Sequence, residues 1–305
     1  MNLFIIGNGF DRGHGLPTRY WDFRIYLQKK YPDFLEKFES HYDIYSATSN
    51  ERKEEILWNR FESNLANIDE EDIINSCESL DLRLESGDIY IEDMLYDFFS
   101  EEYNYIKQLS RYLKQWIRTI RIRDCVPRTS LISEKNNDKY ITFNYTAVLE
   151  TVYGISSDQI LHIHGSLRNY TKDPVIGHGN LQRIQAITAQ IEQAEERFDE
   201  KLCSICKVIK NYYTDTFKDT RKYSYSLYDI AHHNINQIYI IGHSLDGIDM
   251  PYFSQIDRLT DCNLIWNVYI YEESEIADKK NALISVGITP DRINVLPAYQ
   301  FYDLN

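Results

Sequence analysis

Six short apolar runs punctuate the chain: Leu3–Ile6, Tyr140–Thr142, Ile160–Ile163, Ile238–Ile241, Leu264–Tyr271 and Ile293–Leu296. They are rich in isoleucine, bounded by glycine, asparagine or proline, and apolar without strict alternation. Strands buried on both faces of a parallel sheet read this way, because neither face needs polar positions. Long polar segments with helical periodicity separate the runs. The largest, about 18–126, is heavy in Glu, Lys, Leu and Tyr and poor in Gly and Pro, and a second covers about 181–236. The pattern predicts an α/β fold, a parallel sheet with large helical insertions, in one domain spanning 1–305.

Directly after the first run the chain reads GNGFDRGHG, with glycine at positions 7, 9, 13 and 15. Strand, glycine-rich turn and helix together offer backbone N–H groups and a helix N-terminus to a phosphate. Gly7 and Gly9 would make the tight turn, and Gly13 and Gly15 a second bend. A helix is then expected to start at Leu16-Pro17-Thr18. The spacing is neither G-x-G-x-x-G nor a P-loop, so a plain strand-to-helix turn stays open. Asn8, Asp11, Arg12 and His14 add polar groups that a plain turn does not need. Arg12 would face a phosphate, and Asp11 would accept from a ribose hydroxyl or lock the loop.

Three more turns share this character. One apolar run ends in Phe143-Asn144-Tyr145-Thr146, another in His164-Gly165-Ser166, and a third in Gly242-His243-Ser244-Leu245. His162 and His164 alternate, so in a strand they share a face. Asn267 sits in mid-strand. Each feature alone fits a cap or a core histidine. Together at one sheet edge they fit a nucleotide site.

The order of the glycine loop, FNYT…LE, HIHG and IIGHSL resembles the sirtuin-like NAD-binding fold of many bacterial anti-phage proteins. More narrowly, LFIIGNGFDRGHGLPTRYWDF and LWNRFESNL resemble the AbiH family, linked to abortive phage infection, over most of the chain. The resemblance implies a Rossmann-like sheet with Asn144 and His164 as the catalytic pair. It implies that Gly7, Asn8, Gly9 and Phe10 hold a pyrophosphate, with Asp11 and Arg12 beside them. Gly165, Gly242, Ser244 and Leu245 would lie against the dinucleotide, and Asn267 would contact a ribose. Thr146 stands where many relatives have Asp. The four zinc-binding cysteines of protein deacetylases are absent, which argues against lysine deacetylation.

Composition narrows the function further. The formal net charge is −14 and no Lys/Arg run stands out, which argues against wrapping duplex DNA or coating an anionic membrane. No apolar stretch approaches the roughly 18 residues of a membrane helix, and no basic region precedes the first run, so a cytoplasmic protein is expected. Cys77, Cys125, Cys203, Cys206 and Cys262 form an odd, scattered set that fits reduced thiols. Cys203 and Cys206 read as helical neighbours in a core, and no metal is expected. Trp58, Phe61 and Leu65 have helix spacing and are expected to cover the sheet, with Glu62 on the same face needing a partner or reaching the cleft.

The function expected is an anti-phage effector that hydrolyses the nicotinamide–ribose bond of NAD. Asn144 would position the ribose or a water, and His164 would be the general base. Tyr145, His162 and His178 are secondary candidates. NAD enters as substrate. A related nucleotide, a phage-derived trigger or partner protein, and further copies of the chain are the other expected partners. A nucleotide-binding sensor without turnover is the alternative, and an RNase-like toxin is disfavoured by the acidic charge.

Overall fold

The computed structural model describes residues 1–79, 105–166, 175–231, 234–260 and 262–304. Of the helical stretches expected over 18–126 and 181–236, residues 80–104 and 232–233 lie outside the described residues.

Six parallel strands form one sheet: β1 (Leu3–Ile6), β2 (Lys139–Thr142), β3 (Ile160–His162), β4 (Gln237–Ile241), β5 (Ile265–Ile270) and β6 (Ile293–Pro297). Each expected apolar run becomes a strand, its ends moved by no more than one residue. Alternate residues feed two separate cores. Leu3, Ile5, Ile141, Ile240 and Val268 enter one, while Phe4, Ile6, Tyr140, Ile241 and Tyr269 enter the other. Phe4 stacks on Tyr140 and on Tyr239 at centroid distances of 5.4 and 5.0 Å. With both faces covered, no polar alternation is left in the sequence.

The strand order is β3-β2-β1-β4-β5-β6. From β1 the chain lays β2 and β3 on one side, then returns to lay β4, β5 and β6 on the other. The order therefore reverses between β1 and β4, and open α/β sheets of this Rossmann-like order bind ligands outside the strand carboxyl ends at that point.

The glycine run folds differently from the expectation. The first helix is Asn8–Gly13, beginning inside the run with Gly7 as an extended N-cap, and the next is Tyr20–Lys30. Close backbone contact with the turn after β4 is the reason. Gly7 N–H donates to the Ile241 carbonyl at 2.9 Å, and Gly9 N–H to that of Gly242 at 2.8 Å. A Cβ on Gly9 would stand 2.6 Å from Gly242 Cα, and one on Gly242 would stand 2.2 Å from Phe10 N. Gly242 also has φ +70°, a conformation side chains resist.

The chain divides into two compact units. Met1–Asp22, Leu113–Val175 and Asp219–Asn305 hold the sheet, and Phe23–Tyr112 with Ile176–Lys218 form a helical unit. Trp58, Phe61 and Leu65 are buried in the helical unit and belong to neither sheet core, which corrects the expectation that they cover the sheet. Trp58 and Phe61 pack with Phe23 and Phe38 instead. Buried Glu39 accepts from Arg24 Nε at 2.6 Å, Arg24 Nη2 at 2.9 Å and Trp58 Nε1 at 2.7 Å, so its carboxylate is well compensated. Cys203 and Cys206 are buried neighbours on the helix Glu200–Asp215, their thiols directed at Glu195 and Gln190. Among the described residues no helix is long and apolar enough to cross a membrane.

Replacing Gly242 by Ala forces a Cβ into the Phe10 backbone. The expected cost is roughly 3 kcal/mol or more, read as a lower urea midpoint with an unchanged m-value.

Candidate active site

Asp11 lies on the first helix and is 1% exposed. Its Oδ1 accepts from Asn144 Nδ2 at 2.9 Å, and its Oδ2 from Thr146 Oγ1 at 2.6 Å. Both donors come from the turn after β2, so one buried carboxylate ties that turn to the helix after β1. Burial disfavours the charged form and pushes the Asp11 carboxyl up to about 7. The bonds from Thr146 and Asn144, and nearby His162, pull the other way and are outweighed.

Asn144 is 6% exposed, and its Nδ2 also donates to the Gly7 carbonyl at 3.1 Å. Two acceptors at the nitrogen fix which way round the amide sits. Oδ1 is left as a buried acceptor with no protein partner. Such a group costs about 1–3 kcal/mol, a penalty that a ligand or water hydrogen removes.

Asn144 and Asp11 lie on a cleft of about 430 Å³, measured out to its open mouth. Tyr20, Trp116, Phe143 and Tyr145 contribute aromatic side chains to its wall, and none of its described lining residues is basic. Flat apolar faces, one buried acceptor and one carboxyl suit a hydroxyl-bearing planar or cationic ring better than a phosphate.

None of the described lining residues is a histidine. His162 Nε2 lies 3.0 Å from Glu150 Oε1, and its Nδ1 lies 3.3 Å from the Asn144 carbonyl. His164, in the turn after β3, places Nε2 3.4 Å from Asp249 Oδ1, and His243 Nε2 lies 3.6 Å from Asp249 Oδ2. His243 Nδ1 accepts the Leu245 N–H at 2.9 Å, so in the neutral ring the proton sits on Nε2, facing Asp249. The Phe143 ring contacts His164 and His243 at centroid distances of 5.2 and 4.4 Å, and Phe143 also lines the cleft. The two expected catalytic side chains thus take different partners: Asn144 joins Asp11, and His164 joins Asp249.

The other expected residues separate similarly. Asn8 is exposed, lines the cleft and donates to the Thr18 carbonyl at 2.8 Å. The N–H groups of Gly7 and Gly9 go to Ile241 and Gly242, and that of Phe10 to Gly7, so none of these three is aimed at a ligand. Arg12 and Ser244 are exposed. Leu245 is buried at φ +54°, and Gly165 has φ +87°. Lys279 braces the β4 turn by donating to the carbonyls of His243 at 3.1 Å and Ser244 at 2.6 Å. Asn267 bonds Gln237 and Asn294 within the sheet, at 3.1 and 3.0 Å. Tyr145 lines the cleft and donates to the Val175 carbonyl at 2.8 Å. In the helical unit, Glu62 pairs with buried Lys218 at 2.6 Å. His178 packs on Tyr213 and Phe217, its pKa held down to about 4 by burial.

Sequence reasoning missed Asp249, Lys279, Tyr20 and Trp116. Asp249 follows the β4 turn closely enough to have been a candidate. Trp116 sits on the helix Tyr105–Ile117, far from every motif in sequence, and carries no local signal.

A family model described as bacteriophage abortive infection AbiH matches residues 3–271. No curated protein matches the chain, and no solved structure does.

Between about pH 4 and pH 7 the unfolded chain has lost the Asp11 proton while the folded chain keeps it, so stability falls as pH rises through that window. A rise from 3.8 to about 7 corresponds to ~4 kcal/mol. Asp11→Asn is expected to gain stability relative to the natural chain by up to that amount between pH 4 and pH 8, measured by urea unfolding at both. A difference that does not change with pH would mean that Asp11 titrates like an exposed carboxyl.

Proposed function

Because the chain belongs to the AbiH family of bacteriophage abortive infection proteins, we propose that it is a phage-defence effector that hydrolyses the nicotinamide–ribose bond of NAD. The observation that carries this reading is the oriented Asn144 amide, its buried oxygen unpartnered beside Asp11 in an aromatic cleft. The bond breaks through an oxocarbenium-like transition state, and nicotinamide leaves neutral because its ring nitrogen takes the bonding pair. No strong acid is needed. The site has to hold the flat ring, orient the ribose, limit bulk water and place one nucleophile. Tyr20, Trp116, Phe143 and Tyr145 would hold the ring, and Asn144 Oδ1 would accept from a ribose hydroxyl or from the attacking water. A requirement for a phage-derived trigger, a partner protein or self-assembly would keep the activity silent before infection.

A nucleotide-binding sensor without turnover is the second reading. It draws on the position of His164, which is directed at Asp249 and is not among the residues lining the cleft.

Purified protein incubated with NAD, followed by chromatography for nicotinamide and ADP-ribose, separates the two. Turnover in the natural chain that falls at least ~10²-fold in Asn144→Ala supports hydrolysis at this cleft. NAD binding without turnover favours the sensor. Absence of both removes NAD as the ligand.

A further inference from the structure

We propose that Asp11 is the general base of this cleft, taking the proton of the water that attacks the ribose. The assignment rests on NAD hydrolysis at the Asn144 site being right. Three features of geometry lead to it. Asp11 is the carboxylate on the cleft, and no histidine lines the cleft among the described residues. Its two oxygens are held by donors from one turn, Asn144 and Thr146, which leaves a second lone pair on each for a further hydrogen. It also stands beside the amide whose oxygen lacks a partner, so one water can donate one hydrogen to Asn144 Oδ1 and the other to Asp11.

The step balances. The water oxygen forms the new bond to C1′ of the ribose. The C1′–N bond breaks with its electron pair passing to the pyridinium nitrogen, which becomes neutral nicotinamide. The water proton passes to the Asp11 carboxylate and then to solvent, so NAD and water give ADP-ribose, nicotinamide and a proton.

Burial supplies the basicity this role needs. A carboxylate near its ordinary value is a poor base at neutrality, whereas Asp11, raised to about 7, is close to the optimum for proton transfer there. The titratable groups around it are His162 with its partner Glu150, Cys125 and Tyr302. Burial raises both the Cys125 thiol and the Tyr302 hydroxyl, which takes them away from neutral pH. A merely structural Asp11, locking the β1 and β2 turns together, is the competing role.

Rates of NAD hydrolysis from pH 5 to pH 9 distinguish them, measured on the natural chain, Asp11→Asn and Thr146→Val. The natural chain is expected to show kcat rising to a plateau with a midpoint near 7. Asp11→Asn should lose about 10²–10⁴ in kcat with KM for NAD changed little, and should lose the rising limb. Thr146→Val removes a donor to the ionised carboxylate, so its midpoint should move to higher pH while the plateau persists. A structural lock would leave the limb in place and move KM instead. If Asp11→Asn keeps kcat or the limb, or if Thr146→Val leaves the midpoint unmoved, Asp11 is not the base, although hydrolysis at the cleft survives. If the natural chain does not release nicotinamide at all, the base assignment falls together with the NAD reading.

Discussion

The backbone contact between the turns after β1 and β4 is the constraint on which the site depends. Gly7, Gly9 and Gly242 approach so closely that no Cβ fits among them. That contact lies where the strand order reverses, the place at which an open α/β sheet otherwise leaves a crevice. Here the crevice is closed by backbone hydrogen bonds, and the accessible cleft lies toward β2. Packing the first helix against β4 also sets its rotation, and with it the direction of Asp11. The glycines therefore act on the site through helix placement, with their own N–H groups already committed to neighbouring carbonyls.

Asp11 shows how a fold can hold a group away from its most comfortable state. A buried carboxyl with two donors is less stable ionised than an exposed one, yet it bridges two strand ends that must stay in register for the cleft to exist. Stability and reactivity are opposed at this residue, a common situation at functional sites. The helical unit solves the same electrostatic problem differently. Glu39 receives three donors, two of them from the always-charged Arg24, and Lys218 is neutralised by Glu62. Glu62, which the sequence left between a partner and the cleft, has found its partner.

The histidines separate fold from chemistry in another way. β3 ends at His162 and His164 lies in the turn beyond it, so the shared face expected from their spacing is not kept: His164 packs on Phe143 and Tyr252 of one sheet core, whereas His162 lies beside Glu150 near the other. Spacing also did not record which carboxylate each one meets. His162 meets Glu150 and His164 meets Asp249, across sequence separations that spacing does not encode. Phe143 stands at the boundary, touching His164 and His243 on one side and lining the cleft on the other.

Isoleucine-rich apolar runs without alternation were enough to place six strands and to expect a parallel sheet, because burial on both faces leaves its mark on every residue of a strand. Asn144 and Asp11 were legible as candidates because they follow the ends of β2 and β1 closely, where polar groups have no local reason to gather. The start of the first helix was misread, because the demand for glycine came from Gly242, more than two hundred residues away. The cleft wall at Trp116, the fate of the Trp58 stripe and the engagement of the glycine amides likewise depended on which surfaces meet. Local patterning records what each segment needs, namely an apolar environment, a tight turn or a cap. Partner choice for a carboxylate or an amide is a long-range matter, decided only when the strand order brings distant turns to one edge.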